Sequence, residues 1–191
     1  IFQKVKARWP IYVVDAPVVL DVPLATGEHA AVFVLPYPHR TGFVSHGVAK
    51  SDVIQAADQA LDVIFMDAAG QLTDARKRGR LTLMIAHANI TGAVASTGQP
   101  QIGMEISISQ AHLARLGPIL KLFSHIHKPQ EIGGAHFIGS ICRLSWGEVE
   151  AKRFLVAEIN ADSTYTLESR TIVCPARYHV EGTLTRDDFD W

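Results

Sequence analysis

The sequence predicts a layered α/β domain in which strands and helices share one core. Two apolar runs, residues 81–90 and 119–123, are typical of buried strands in a parallel sheet. A helical apolar period extends from Ser51 to about Arg78. The 191 residues are 48% hydrophobic and 19% charged, which is ordinary for a globular chain and sufficient for one sizeable core.

The first part of the chain alternates β-rich runs with turn residues. These runs predict three strands, at residues 11–14, 18–22 and 30–35. The long helix that follows is expected to begin behind a Ser51 and Asp52 cap, with Gly70 as a candidate break.

The second part of the chain contains a loop, a short helix and more strands. Residues 92–103 are rich in Gly, Ser, Gln and Pro and predict a loop, and Ser109 is expected to cap a helix from Gln110 to Arg115. Four further strands are predicted, at residues 135–140, 142–146, 152–159 and 164–173. The last two should form a hairpin, because Asn, Asp and Ser separate them.

Composition excludes several classes of protein. With 18 Lys and Arg against 19 Asp and Glu the net charge is −1, so no overall positive field indicates a nucleic-acid ligand. Cys142 and Cys174 are far apart in sequence, and their spacing indicates neither a zinc knuckle nor a redox dithiol. No apolar run approaches the ~20 residues of a membrane-spanning helix. A cytoplasmic protein is therefore expected, and a start at Ile1 without Met predicts a piece of a longer polypeptide.

Three histidines stand where predicted core strands end. His87 lies near the end of the run 81–90, and His125 and His127 directly follow the run 119–123. Imidazole is the commonest metal ligand, and two histidines two residues apart can serve one metal or two neighbouring metals. The alternative for any one of them is a partly buried, hydrogen-bonded residue. The other six histidines are interpreted as surface or turn residues: His29, His39, His46, His112, His136 and His179.

Four sequence motifs, in this order along the chain, resemble those of a known family. They are IAHANITG at 85–92, FSHIHKPQEIGG at 123–134, GSICRLSWGE at 139–148 and the strand KRFLVAEI at 152–159. This set resembles the calcineurin-like metallophosphoesterases, and among them the SbcD-type DNA exonucleases of recombination and repair. The resemblance covers roughly residues 81–185, and more loosely residues 32–38. Ala86 and Ser124 replace the family's glycines, and Ile141 replaces its proline.

The resemblance implies a fold and a domain division. The fold would be a layered α/β/β/α metallophosphoesterase sandwich, of which residues 1–174 form the C-terminal part. Residues 175–191 would begin the connection to a following capping domain. The family's Asp-x-His, Gly-Asp and Gly-Asn-His-Asp phrases are absent from this chain, so the catalytic residues are expected in a missing N-terminal half. The chain alone is therefore expected to be inactive.

The resemblance also implies roles for particular residues. His87, His125 and His127 would be ligands of two divalent ions, with manganese as the expected metal. Glu148 would orient a ligand histidine, with a surface carboxylate as the alternative. Lys128 and Arg143 would contact DNA phosphates, with ordinary surface charges as the alternative.

The expected function is that of a metal-dependent DNA exonuclease that hydrolyses phosphodiester bonds with a metal-activated water. The implied partners are DNA and an SbcC-like SMC-type ATPase, with a homodimer left open and no membrane. Two alternatives remain: a general metallophosphoesterase acting on nucleotides or small phosphodiesters, and a non-catalytic interaction fragment.

Overall fold

The computed structural model describes residues 10–99, 105–160, 162 and 164–175. Ten strands and three helices occur in this part of the chain. In chain order they are β1 (Val18–Pro23), β2 (His29–Leu35), α1 (Arg40–Ser45), α2 (Val53–Lys77), β3 (Leu81–His87), β4 (Asn89–Ile90), β5 (Ser107–Ile108), α3 (Gln110–Arg115), β6 (Leu120–Ser124), β7 (Gln130–Ile132), β8 (Ala135–Phe137), β9 (Arg153–Ile159) and β10 (Tyr165–Thr171).

A six-stranded, mostly parallel sheet forms the centre of this mixed α/β fold. Its strand order is β1-β2-β3-β6-β8-β7. The four inner strands are parallel, whereas β1 and β7 run antiparallel to their neighbours. Because β3 and β6 are parallel, their carboxyl ends meet at one edge of the sheet, with His87 in register with Ser124. The predicted hairpin of β9 and β10 is confirmed as a separate two-stranded sheet.

The long helix α2 covers one face of the sheet. Its buried residues recur every three or four positions, which is the period that places them on one side of a helix: Val53, Ala57, Leu61, Phe65, Ala68, Leu72 and Ala75. Phe65 meets Phe33 of β2 edge to face, with ring centroids 5.4 Å apart. The predicted break at Gly70 is wrong, because the helix continues through it and the glycine faces open space.

Residues 81–87 form the predicted strand β3, but the prediction that both of its faces are covered is wrong for the described part of the chain. Met84 and Ala86 are buried in the core, but Ile85 between them is 46% exposed. The described part of the chain places its long helix against one face only, and alternate residues of a strand point to opposite faces.

Two predicted strands do not form. Residues 11–14 carry no strand, and Ile11, Tyr12 and Val13 are exposed, because β-rich side chains form a strand only where a neighbour supplies a hydrogen-bonding edge. Residues 142–146 are also irregular. Two of their backbone N–H groups bond to side chains instead, that of Arg143 to the Cys174 sulfur and that of Ser145 to the Glu148 carboxylate.

Several local predictions have clear outcomes. Ser109 caps α3 as expected, since its hydroxyl accepts a hydrogen bond from the His112 N–H. The interpretation of His112 as a surface or turn residue is wrong, because its side chain is only 2% exposed and packs on Phe65.

No helix in the described ranges is long and apolar enough to cross a membrane. The predicted connection at 175–191 lies outside the described residues except for Pro175.

Candidate functional site

The carboxyl ends of β3 and β6 bring His87 and His125 together. Their ring centroids lie 5.3 Å apart and the rings meet edge to face. Burial lowers the pKa of His87, and the nearby charges of His125 and His127 lower it further. The His87 ring is therefore neutral at neutral pH, the form in which imidazole donates a lone pair.

Each of the three predicted ligand histidines is held at one ring nitrogen. The pairs are His87 Nδ1 with Ser124 Oγ at 2.7 Å, His125 Nε2 with Glu105 Oε2 at 3.0 Å, and His127 Nδ1 with Glu148 Oε1 at 2.7 Å. In each ring the second nitrogen has no hydrogen-bond partner among the residues that the structure describes. Ligand histidines characteristically have one nitrogen fixed by a neighbour and the other directed at a metal.

The backbone at His125 is strained. Its φ is +95°, the one positive value at a non-glycine residue in the described ranges. Strain of this kind persists only where the surroundings hold it, and it is concentrated at functional sites. Gln99 supplies that restraint: its Nε2 donates to the His125 carbonyl at 2.8 Å, and its Oε1 accepts from the His127 N–H at 2.9 Å.

Glu148, which the sequence predicts to orient a ligand histidine, is 2% exposed and lies at the centre of a polar cluster. Besides His127 it accepts from the Ser145 hydroxyl at 3.0 Å and from the Lys152 ammonium at 2.5 Å. Burial raises the pKa of Glu148, but the hydrogen bonds from Lys152, His127 and Ser145 outweigh burial and lower it to about 2. The carboxylate is therefore ionised at neutral pH and fixes the orientation of the His127 ring.

Two glycines allow the segment 139–148 to approach the histidines. Gly139 has a φ of +87°, and a Cβ there would lie 2.9 Å from the carbonyl oxygen of His127. At Gly147 a Cβ would lie 2.5 Å from the carbonyl oxygen of Thr97. Only glycine allows such close backbone approach, so these two positions let the segment that carries Glu148 lie against the backbone of His127 and Thr97.

An aromatic ring closes the site from the side of β2. The Tyr37 ring lies 5.0 Å from that of His125 and 6.0 Å from that of His87, centroid to centroid. Burial raises the pKa of Tyr37, and the charge of Glu105 adds to the effect. Tyr37 and Glu105 thus both lie beside His125.

The two predicted phosphate-binding cations have different surroundings. Arg143 uses its guanidinium within the protein, with Nε on the Glu148 carbonyl at 3.1 Å and Nη1 on the Cys174 carbonyl at 3.2 Å. The Lys128 ammonium has no hydrogen-bond or ion-pair partner among the described residues and is partly exposed. Lys128 is therefore the more available of the two for an anionic ligand.

Three residues that were not predicted from the sequence support the histidines: Gln99 and Glu105 directly, and Lys152 through Glu148. Gln99 lies in the predicted loop at 92–103 and Glu105 just after it, where no periodicity marks a side chain that bonds to a distant strand. Lys152 follows Glu148 by four residues and begins the predicted strand at 152–159, but a charged residue beside Arg153 gives no local sign that it is buried.

The donor set has imidazole and carboxylate groups, which suit manganese, iron or zinc better than magnesium or calcium. Within the described residues, however, no group of three or more His, Cys, Asp or Glu side chains is arranged to hold a metal ion. His87 and His125 provide two neighbouring rings, and a complete site needs further ligands. In comparisons with known proteins, no protein-family model matches this sequence, and no curated protein matches it.

Proposed function

We propose that this chain is the C-terminal part of a metal-dependent phosphodiesterase, with DNA ends as its substrate. The observation that carries the proposal is the set His87, His125 and His127, each held at one ring nitrogen beside the carboxyl ends of parallel strands. In open α/β sheets this edge is where ligands bind. The strained backbone of His125 supports a functional role for the same edge.

The proposed fold of the complete domain is an α/β/β/α sandwich. Support comes from the sheet face opposite α2, where Val18 of β1 and Ile85 of β3 are 38% and 46% exposed. A parallel sheet normally has both faces covered. The complete domain would place further layers against that face.

Neighbouring residues of this chain keep three imidazole rings in a state and orientation that suit metal binding. Burial and neighbouring charges keep His87 neutral, Glu105 fixes the ring of His125, and Glu148 fixes the ring of His127. Two bound divalent ions, with manganese as the proposed metal, would supply a nucleophilic water and neutralise phosphate charge. Carboxylate ligands from an upstream half would complete the set.

The wider proposal follows the resemblance. Lys128 lies one residue beyond His127 and is available for a DNA phosphate, a contact that positions a duplex without reading its sequence. The complete protein would act in the cytoplasm with an SbcC-like SMC-type ATPase. The phosphate contact and the ATPase partner both rest on the nuclease proposal.

A cleavage assay tests the proposal. A chain extended by the upstream half should degrade the ends of duplex DNA in the presence of Mn²⁺, and the 191-residue chain should not. In the extended chain His125→Ala should abolish cleavage but leave most DNA binding, because phosphate contacts supply most of the affinity. The matched control is His29→Ala, since His29 is exposed at the opposite end of β2 and bonds to Asp21.

The other outcomes are equally informative. Cleavage of small phosphodiesters but not of DNA would replace the nuclease with a general phosphoesterase. Full activity of His125→Ala would show that the metal ligands lie elsewhere. An extended chain that binds no Mn²⁺ in calorimetry and cleaves no phosphodiester would favour the hypothesis of a non-catalytic interaction fragment.

A further inference from the structure

The two cysteines lie 32 positions apart in sequence, but the fold brings them together beside Arg143. The Cys174 sulfur accepts a hydrogen bond from the Arg143 backbone N–H at 3.3 Å, and this nitrogen belongs to the peptide bond that follows Cys142. Standard bond lengths then place the Cys142 Cα within about 6 Å of the Cys174 sulfur. Both thiols are free in this structure.

The surroundings of the two thiols differ in exposure. Cys142 is exposed, whereas Cys174 is partly buried. Cys142 lies in an irregular segment, so its side chain can turn towards Cys174 without breaking a strand ladder. The Arg143 guanidinium binds the Cys174 and Pro175 carbonyls at 3.2 and 3.3 Å, which holds the two chain segments side by side.

We propose that Cys142 and Cys174 form a reversible intramolecular disulfide when the protein meets a peroxide oxidant. The Cys142 thiolate attacks one oxygen of hydrogen peroxide; the O–O bond breaks, a sulfenic acid forms on Cys142, and the released hydroxide takes up a proton to become water. The Cys174 sulfur then attacks the Cys142 sulfur. The S–S bond forms, the S–O bond breaks, and the leaving hydroxide takes the Cys174 thiol proton as a second water.

The bond has a structural consequence. It would tie the segment that carries Glu148 to the residues that follow β10, and Arg143 already bridges these two parts. A disulfide that closes a loop of this length reduces the conformational freedom of the unfolded chain. The oxidised protein should therefore melt several degrees higher than the reduced protein.

Intact mass and peptide mapping test the inference on the 191-residue chain at low protein concentration. After hydrogen peroxide the parent chain should lose two hydrogen atoms, yield one peptide pair linked through Cys142 and Cys174, and recover its mass on reduction. Cys174→Ser should instead retain a sulfenic acid on Cys142 that dimedone traps. Cys142→Ser should form no intramolecular bond.

Two results would overturn the inference. One is addition of oxygen to both cysteines of the parent chain without a linked peptide. The other is a disulfide found only between two chains, seen as a dimer in non-reducing electrophoresis. Since the mass measurement does not depend on metal binding or cleavage, either result would leave the proposed function untouched.

Discussion

Lys152 and Glu148 form an ion pair in which neither side chain is exposed to solvent, with Nζ and Oε2 2.5 Å apart. The Ser140 hydroxyl also accepts from the ammonium at 2.8 Å, so both charges are hydrogen-bonded as well as paired. Removing one partner of such a pair leaves an uncompensated buried charge. The pair therefore couples the stability of the domain to the carboxylate that orients His127.

Lys152→Met should destabilise the protein strongly. The loss in the free energy of unfolding should be about 3–5 kcal/mol, because the Glu148 carboxylate remains buried without its main partner. Urea denaturation followed by circular dichroism measures it. Lys77→Met is the control, since Lys77 pairs with Asp74 at 72% and 64% exposure and should cost less than about 1 kcal/mol. Equal losses in the two variants would contradict a buried, energetically coupled pair.

The free energy of unfolding of the metal-free protein should decrease in acid, because Glu148 becomes protonated. Its pKa is about 2 in the folded protein against 4.5 ordinarily. A folded-state pKa below the unfolded value contributes stability that is fully present above about pH 4.5 and lost as the pH falls towards 2. Urea midpoints measured across this range should show the decline, and Glu148→Gln should have a shallower one. A variant as acid-sensitive as the parent would assign the decline to other carboxyl groups.

Gly139→Ala should cost more stability than Gly27→Ala, although both residues have a φ of +87°. At Gly27 no atom lies within 4 Å of the added Cβ, so the cost is the left-handed backbone alone, about 1–2 kcal/mol. At Gly139 the Cβ also meets the His127 carbonyl and the Pro129 ring at 2.9 Å. Thermal melting of the two variants compares them. Equal shifts would show that the segment moves away from His127 at no cost.

Gln99→Leu should loosen the two histidines that follow β6. The substitution keeps the size of the side chain but removes the bonds to the His125 carbonyl and the His127 N–H. The expected loss is about 1–3 kcal/mol, and hydrogen exchange at the His127 amide should accelerate. Gln71→Leu is the control, because Gln71 is exposed on α2 and bonds only to Asp67 among the described residues. An unchanged His127 amide would mean that other contacts hold this turn.

The sequence by itself determined the elements with strong local signals. The 3.6-residue period predicted α2, Ser109 predicted the start of α3, and the Asn, Asp and Ser between the last two β-rich runs predicted the β9 and β10 hairpin. The apolar runs predicted β3 and β6. Each of these depends on neighbouring residues along the chain, so a local pattern is sufficient to specify it.

Only the tertiary structure decided how the site is held. Gln99, Glu105 and Lys152 act on histidines through contacts across the fold, and no periodicity records which distant side chains will meet. The same reason explains why residues 11–14 and 142–146 form no strand, because a β-rich run also needs a partner strand beside it, which propensity does not supply. It also explains the cysteines, whose sequence spacing gave no sign that the Cys174 sulfur would bond to the amide beside Cys142. Which residues come close together in the folded chain depends on packing between segments that are distant in sequence. No single segment specifies that packing.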